Sequence, residues 1–172
     1  MIEIKKISRE QKTIALLILL SVIAFILFRP RRIVAFKKAM KLFGTTEIPG
    51  SSHNPVIINF FREVGFPGVV TDETSWCAGF ANYILKKSGA KYIKSLLARD
   101  LLKLPGKVSK PKKGDIMVFW RQDPNSVWGH VGFYVSESSS HYKILGGNQR
   151  NSVSFLDMPK SRLLGIRRPQ RI

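Results

Sequence analysis

Sixteen consecutive residues from Thr13 to Phe28, TIALLILLSVIAFILF, carry no charge and are apolar around the whole helical circumference. Lys5, Lys6, Arg9 and Lys12 bracket the run on one side, Arg29, Arg31 and Arg32 on the other. At about 1.5 Å per residue it reaches roughly 24 Å, and snorkelling basic ends would extend it toward a hydrocarbon core of about 30 Å. The pattern predicts a single-pass transmembrane helix over 13–28, preceded by a basic segment over 1–12. No small-residue cleavage site follows it, which argues against a removable signal peptide. Next, IVAFKKAMKLF puts Ile33, Phe36, Met40 and Phe43 on one face. This basic amphipathic stretch, 29–43, reads either as a membrane-surface helix or as a linker helix packed on the following domain.

After Gly44 the pattern changes to that of one α+β domain over 44–172. Helices are expected over 55–64, with Pro55 in the first turn and Gly65 beyond the end, and over 75–88, with Thr74 or Ser75 as N-cap and Gly89 as the stop. A third, short helix is expected over 96–104. Alternating and β-branched runs then predict strands at 116–120, 130–135, 142–145, 151–156 and 163–168. Helices first and strands second give an antiparallel meander with the helices packed on one face.

The chain has 172 residues, 29 Lys plus Arg against 11 Asp plus Glu, and a formal charge of +18. That length excludes a large multidomain enzyme. The charge favours anionic lipid, an acidic cell-wall polymer or nucleic acid as partner, with nucleic acid ranked last. A single cysteine excludes a disulfide framework and a multi-cysteine zinc site. No metal or cofactor is called for.

That cysteine, Cys77, stands in DETSWCAGF near a predicted helix start, where unpaired backbone N–H groups and the positive end of the helix dipole favour a thiolate. Of three histidines, His130 opens an apolar strand in WGHVGFYV and is the natural base, while His53 and His141 lie in polar, turn-like stretches. Asn148, in LGGNQ, is placed to hold the imidazole, unless it is simply a turn residue. Asp115 competes for that role but fits a turn-capping carboxylate better. The Cys77 backbone N–H, with Ser75 or Gln149 as helper, would form an oxyanion hole. Trp76, Trp120 and Trp128 flank these residues and read either as core or as walls of a substrate groove.

Together EIPGSSHNP, SWCAGFANYIL, KPKKGDIMVFWR, GHVGFYV, LGGNQ and KSRLLGIRRP resemble the papain-like cell-wall cysteine hydrolases of the NlpC and CHAP type, over Glu47 to Pro169. The likeness is greatest to a subgroup found in phage and prophage genomes. The resemblance implies a papain-like fold and a cysteine peptidase or amidase acting on peptidoglycan. It implies Cys77 as nucleophile, His130 as base and Asn148 as the orienting residue. With the apolar run as anchor, the expectation is a hydrolase held in a host inner membrane or in the membrane of a lipid-containing virion. The rival is a basic, membrane-tethered structural or nucleic-acid-binding protein that keeps the fold without the activity.

Overall fold

The computed structural model describes residues 8–172, so the first seven residues of the expected basic segment lie outside the described residues. The chain forms two compact units, 1–30 and 31–172. In the first unit α1 runs Arg9–Leu27, with Ser8 and Gln11 exchanging capping bonds at its start. The transmembrane helix expected over 13–28 is corrected here: among the described residues no helix is long and apolar enough to cross a membrane. The first turn of α1 is polar and Phe28 is already a turn. Only Thr13 to Leu27 remain apolar within the helix, about 22 Å at 1.5 Å per residue against a core of about 30 Å.

The second unit opens with α2 (Arg31–Met40), which resolves the two readings of the amphipathic stretch in favour of packing on the domain. Ala35, Phe36 and Ala39 are buried in the main core. Arg31 donates to the Ser88 carbonyl, Arg32 to that of Lys113, and the backbone of α2 passes so close to Gly114 that a Cβ there would sit 2.2 Å from the Arg32 oxygen. Then follow α3 (Pro55–Glu63), capped by the Asn54 side chain on the Val56 N–H, and α4 (Cys77–Lys87). The expected third helix is a 3-10 helix, Ala98–Lys103.

The strands are β1 (Lys107–Val108), β2 (Ile116–Trp120), β3 (Gly129–Glu137), β4 (His141–Gln149), β5 (Ser152–Pro159) and β6 (Leu163–Arg167). They form one antiparallel sheet in the order β1-β6-β2-β3-β4-β5. The meander holds from β2 to β5, but β6 crosses back to pair with the free edge of β2. The sheet has two apolar faces. Ile116, Val118, Val131, Phe133 and Leu145 face α4, where Phe80 meets Phe133 edge-on. Met117, Phe119, Ile144, Met158 and Ile166 make a second cluster on the other face. This alternation is the strand period of two, and it decides where the polar residues of the sheet point.

Candidate active site

Helix α4 places Cys77 as its first residue, not as its second or third residue, because the N-cap is Trp76 rather than Thr74 or Ser75. Trp76 offers no side-chain cap, so the first N–H groups of the helix stay open toward the sulfur. The backbone N–H groups of Ala78, Val131 and Cys77 itself favour the charged form of the Cys77 sulfur. The sulfur is thereby seated against β3, at the residue directly after His130. It also opens onto a cavity of about 230 Å³ lined by Ser75, Leu97, Arg121, Trp128 and Gly129, among others. A larger groove of about 440 Å³ at the opposite strand ends, near His141 and Asp157, does not contain the cysteine.

Three aspects of the expected site are corrected by this geometry. Trp76 does not line a groove: it is fully buried against Phe60 and Phe80, and its indole N–H donates to Glu47 at 2.7 Å. Trp128 is the exposed wall of the cavity, while Trp120 is tied elsewhere, under the Arg162 guanidinium and onto the Ser161 carbonyl. The thiolate expected at the helix start is also absent from the resting site. Burial pushes the Cys77 thiol up, and the Arg121 charge and the three backbone N–H groups pull against it without overcoming it.

His130 is buried, and burial, reinforced by the Arg121 charge, holds its pKa down to about 3. Neither of its ring nitrogens has a hydrogen-bond partner among the described residues. The direct bond between the imidazole and the Cys77 sulfur is therefore not formed. Register explains why. His130 stands opposite Phe119, on the face of the second cluster, while the sulfur approaches the neighbouring Val131 from the helix side.

A bulge in β4 places Asn148 and Gln149 differently from what strict alternation predicts. The register of β4 against β5 slips by one residue between Gly146 and Gln149, and Asn148 takes up the extra residue in a left-handed conformation, φ 55°. Its side chain makes no hydrogen bond among the described residues. Gln149 is buried and folds back so that its amide fills the place where a Cβ on Gly146 would stand. Gly146 shares the face of Ile144, hence that of Phe119 and His130. Among the described residues the Gln149 amide, like the imidazole, has no partner for its oxygen or its nitrogen.

Asp115, Asp72, His53 and His141 are engaged away from Cys77. Asp115 is buried and holds Arg168 with both oxygens, at 3.1 and 2.8 Å, and the Lys112 N–H. His53, in its turn-like stretch, donates its Nδ1–H to the carboxylate of the buried Asp72 at 3.0 Å. Burial works against ionisation of Asp72, but the N–H groups of Asn54 and Ile48 and the His53 ring outweigh it and hold its pKa below the ordinary value. His141 meets Ser140 on the surface. Among the described residues no group of three or more His, Cys, Asp or Glu could hold a metal ion. Arg121 went unnoticed in the sequence; an arginine just past a strand end carries no pattern of its own.

Residues 69–148 match the CHAP domain family. That span runs from the segment before α4 almost to the end of β4 and takes in Cys77 and His130. Among solved structures the chain is similar to a Staphylococcus aureus subsp. aureus Mu50 protein described as "similar to lipoprotein, NLP/P60 family". The identity is 18% and the TM-score 0.48, over 82% of this chain and 44% of that one. The chain thus spans less than half the length of that protein. No curated protein matches it.

Proposed function

We propose that the protein is a cysteine hydrolase that cleaves an amide in the peptide part of peptidoglycan through an acyl-enzyme on Cys77. One observation carries the reading: the only cysteine of the chain is the first residue of a helix, with backbone N–H groups aimed at its sulfur, at the floor of an open cavity. In the resting enzyme sulfur and imidazole are both neutral. As the sulfur attacks the scissile carbonyl, His130 takes the thiol proton, then delivers it to the leaving amine; water regains the enzyme by the reverse path. The oxyanion is assigned to the Cys77 N–H, with Ser75, which lines the same cavity, as helper. The reaction requires the imidazole and the sulfur to come within hydrogen-bond reach, which their resting positions do not give. For the group that orients His130 we favour Gln149 over Asn148, because Gln149 is the one buried on the imidazole's face with its amide unsatisfied. Local wall cleavage during phage entry or exit is the setting we propose for this activity.

The raised thiol and the unpartnered imidazole favour one rival, a domain that keeps the fold without turnover. Purified walls incubated with the protein decide between them. Release of new amino groups by the wild type, abolished in Cys77→Ala, supports the hydrolase. No release by the wild type, or equal release by Cys77→Ala, ends the thiol mechanism.

A further inference from the structure

We infer that Arg121 determines the specificity of the Cys77 cavity by binding a carboxylate of the substrate within a residue or two of the scissile amide. The inference rests on the hydrolase reading above and names which peptides that site accepts. Arg121 lines the same cavity as Cys77, next to Trp128 and Leu97. Arg121 is exposed at the mouth of that cavity, and its charge reaches both Cys77 and His130.

The residue is carried on a pinned element. Its backbone N–H donates to the Trp128 carbonyl at 3.2 Å, and the next residue, Gln122, turns the chain at φ 62°. The loop that follows is held by Arg99, which donates to the carbonyls of Pro124 and Ser126. Yet the Arg121 guanidinium itself has no carboxylate partner among the described residues. Asp123, the nearest acid along the chain, turns its Oδ1 onto the Asn125 N–H at 2.8 Å. Arg99, Arg167 and Arg168, by contrast, are each engaged by backbone carbonyls or by Asp115.

An unpaired cation beside a catalytic base has a chemical consequence. It opposes protonation of His130, the event the first step of acylation needs. A substrate carboxylate that pairs with Arg121 cancels that opposition and, through the two-pronged geometry of guanidinium with carboxylate, fixes the peptide over the sulfur. A neutral carboxamide at the same position would do neither. Binding and base strength are thus coupled through one side chain, so discrimination should show in kcat as well as in KM.

The test uses soluble stem peptides with free side carboxylates and the same peptides converted to carboxamides. Wild-type kcat/KM should favour the carboxylate form by about ten- to a hundredfold, the range for a charge-assisted hydrogen-bonded pair. Arg121→Gln should reduce that ratio to about threefold or less, and Arg121→Lys should keep part of it. Equal rates of the wild type on both peptides, or an unchanged ratio in Arg121→Gln, would overturn the inference. A parallel loss on both peptides would also overturn it, since it would mean that Arg121 acts only on the thiol. Calorimetric binding in a Cys77→Ala background reads the same preference without turnover. If the wild type cleaves neither peptide, the hydrolase reading fails, and the binding ratio still decides the role of Arg121.

Discussion

Cys77 and His130 carry opposite burdens from the same cause. Burial raises the thiol and lowers the imidazole, so the resting pair is neutral rather than ionic. Iodoacetamide should therefore label the native protein slowly near neutral pH, with a rate that climbs only above the ordinary thiol range of about 8.5. A labelling rate already saturated at pH 7 would show an ion pair and refute this account. Substitution of His130 by Ala should lower turnover by at least about a hundredfold, the usual worth of a general base. At the neighbouring strand, Gln149→Leu and Asn148→Ala separate the two candidate orienting residues. The first should depress kcat by tenfold or more and flatten the acid limb of the pH–rate profile, while the second should leave both close to wild type. Reversed effects would return the role to Asn148. The sequence could not make this distinction, because a β-bulge is a backbone event: one extra residue at Asn148 turns Gln149 onto the face that strict alternation assigns to its neighbour.

At the scale of elements, the most legible features were those set by local pattern. β2 was read from IMVFW without error at either end, and Pro55 and the Gly65 stop framed α3 to within a residue. What escaped was decided by contacts distant in sequence. β6 pairs with β2 across nearly fifty residues, α2 belongs to the core because Phe36 and Ala39 meet α4's layer, and Trp76 is drawn inward by Glu47. The junction between α4 and β4 shows how tightly this layer is built. A Cβ on Gly147 would stand 2.5 Å from the Trp76 ring and 2.8 Å from the Phe80 Cβ. The indole cannot retreat without breaking its bond to Glu47. Gly147→Ala should therefore destabilise the fold by about 1–3 kcal/mol, the usual cost of overpacking, and disturb Cys77 with it. Urea melts paired with thiol labelling would check this: unchanged stability would mean that the helix and the strand can part at no cost. At the start of β2, Asp115→Ala would leave the Arg168 guanidinium and the Lys112 N–H without their acceptor. Because Arg168 is partly exposed, the loss should be about 2–3 kcal/mol rather than that of a fully buried pair.

For the molecule as a whole the +18 charge sets how it meets its surroundings. Wall polymers are acidic, so affinity for them should fall with added salt as screening shortens the reach of surface charge to about 8 Å at physiological ionic strength. Acidity acts on stability through a different route. Between pH 6.5 and about 3 the unfolded chain accepts a proton on His130 that the folded chain refuses. The unfolded state then binds more protons, so stability is complete above pH 6.5 and falls as the pH drops through this window. At about 1.4 kcal/mol for each pH unit, the whole window is worth on the order of 5 kcal/mol, a large part of the stability of an ordinary domain. Asp72 and Asp100, both held below their ordinary pKa, add to the loss only at lower pH, beneath the carboxylate range near 3.8. Denaturant melts at pH 7, 5.5 and 4.5 should show the wild type losing stability steadily, and His130→Gln should remove most of that slope while leaving the carboxylate losses in place. Should wild type and variant decline in parallel, the imidazole must protonate inside the fold. It would then have a partner such as the Gln149 oxygen, and the acid–base pair at Cys77 would be poised for reaction before any substrate arrives.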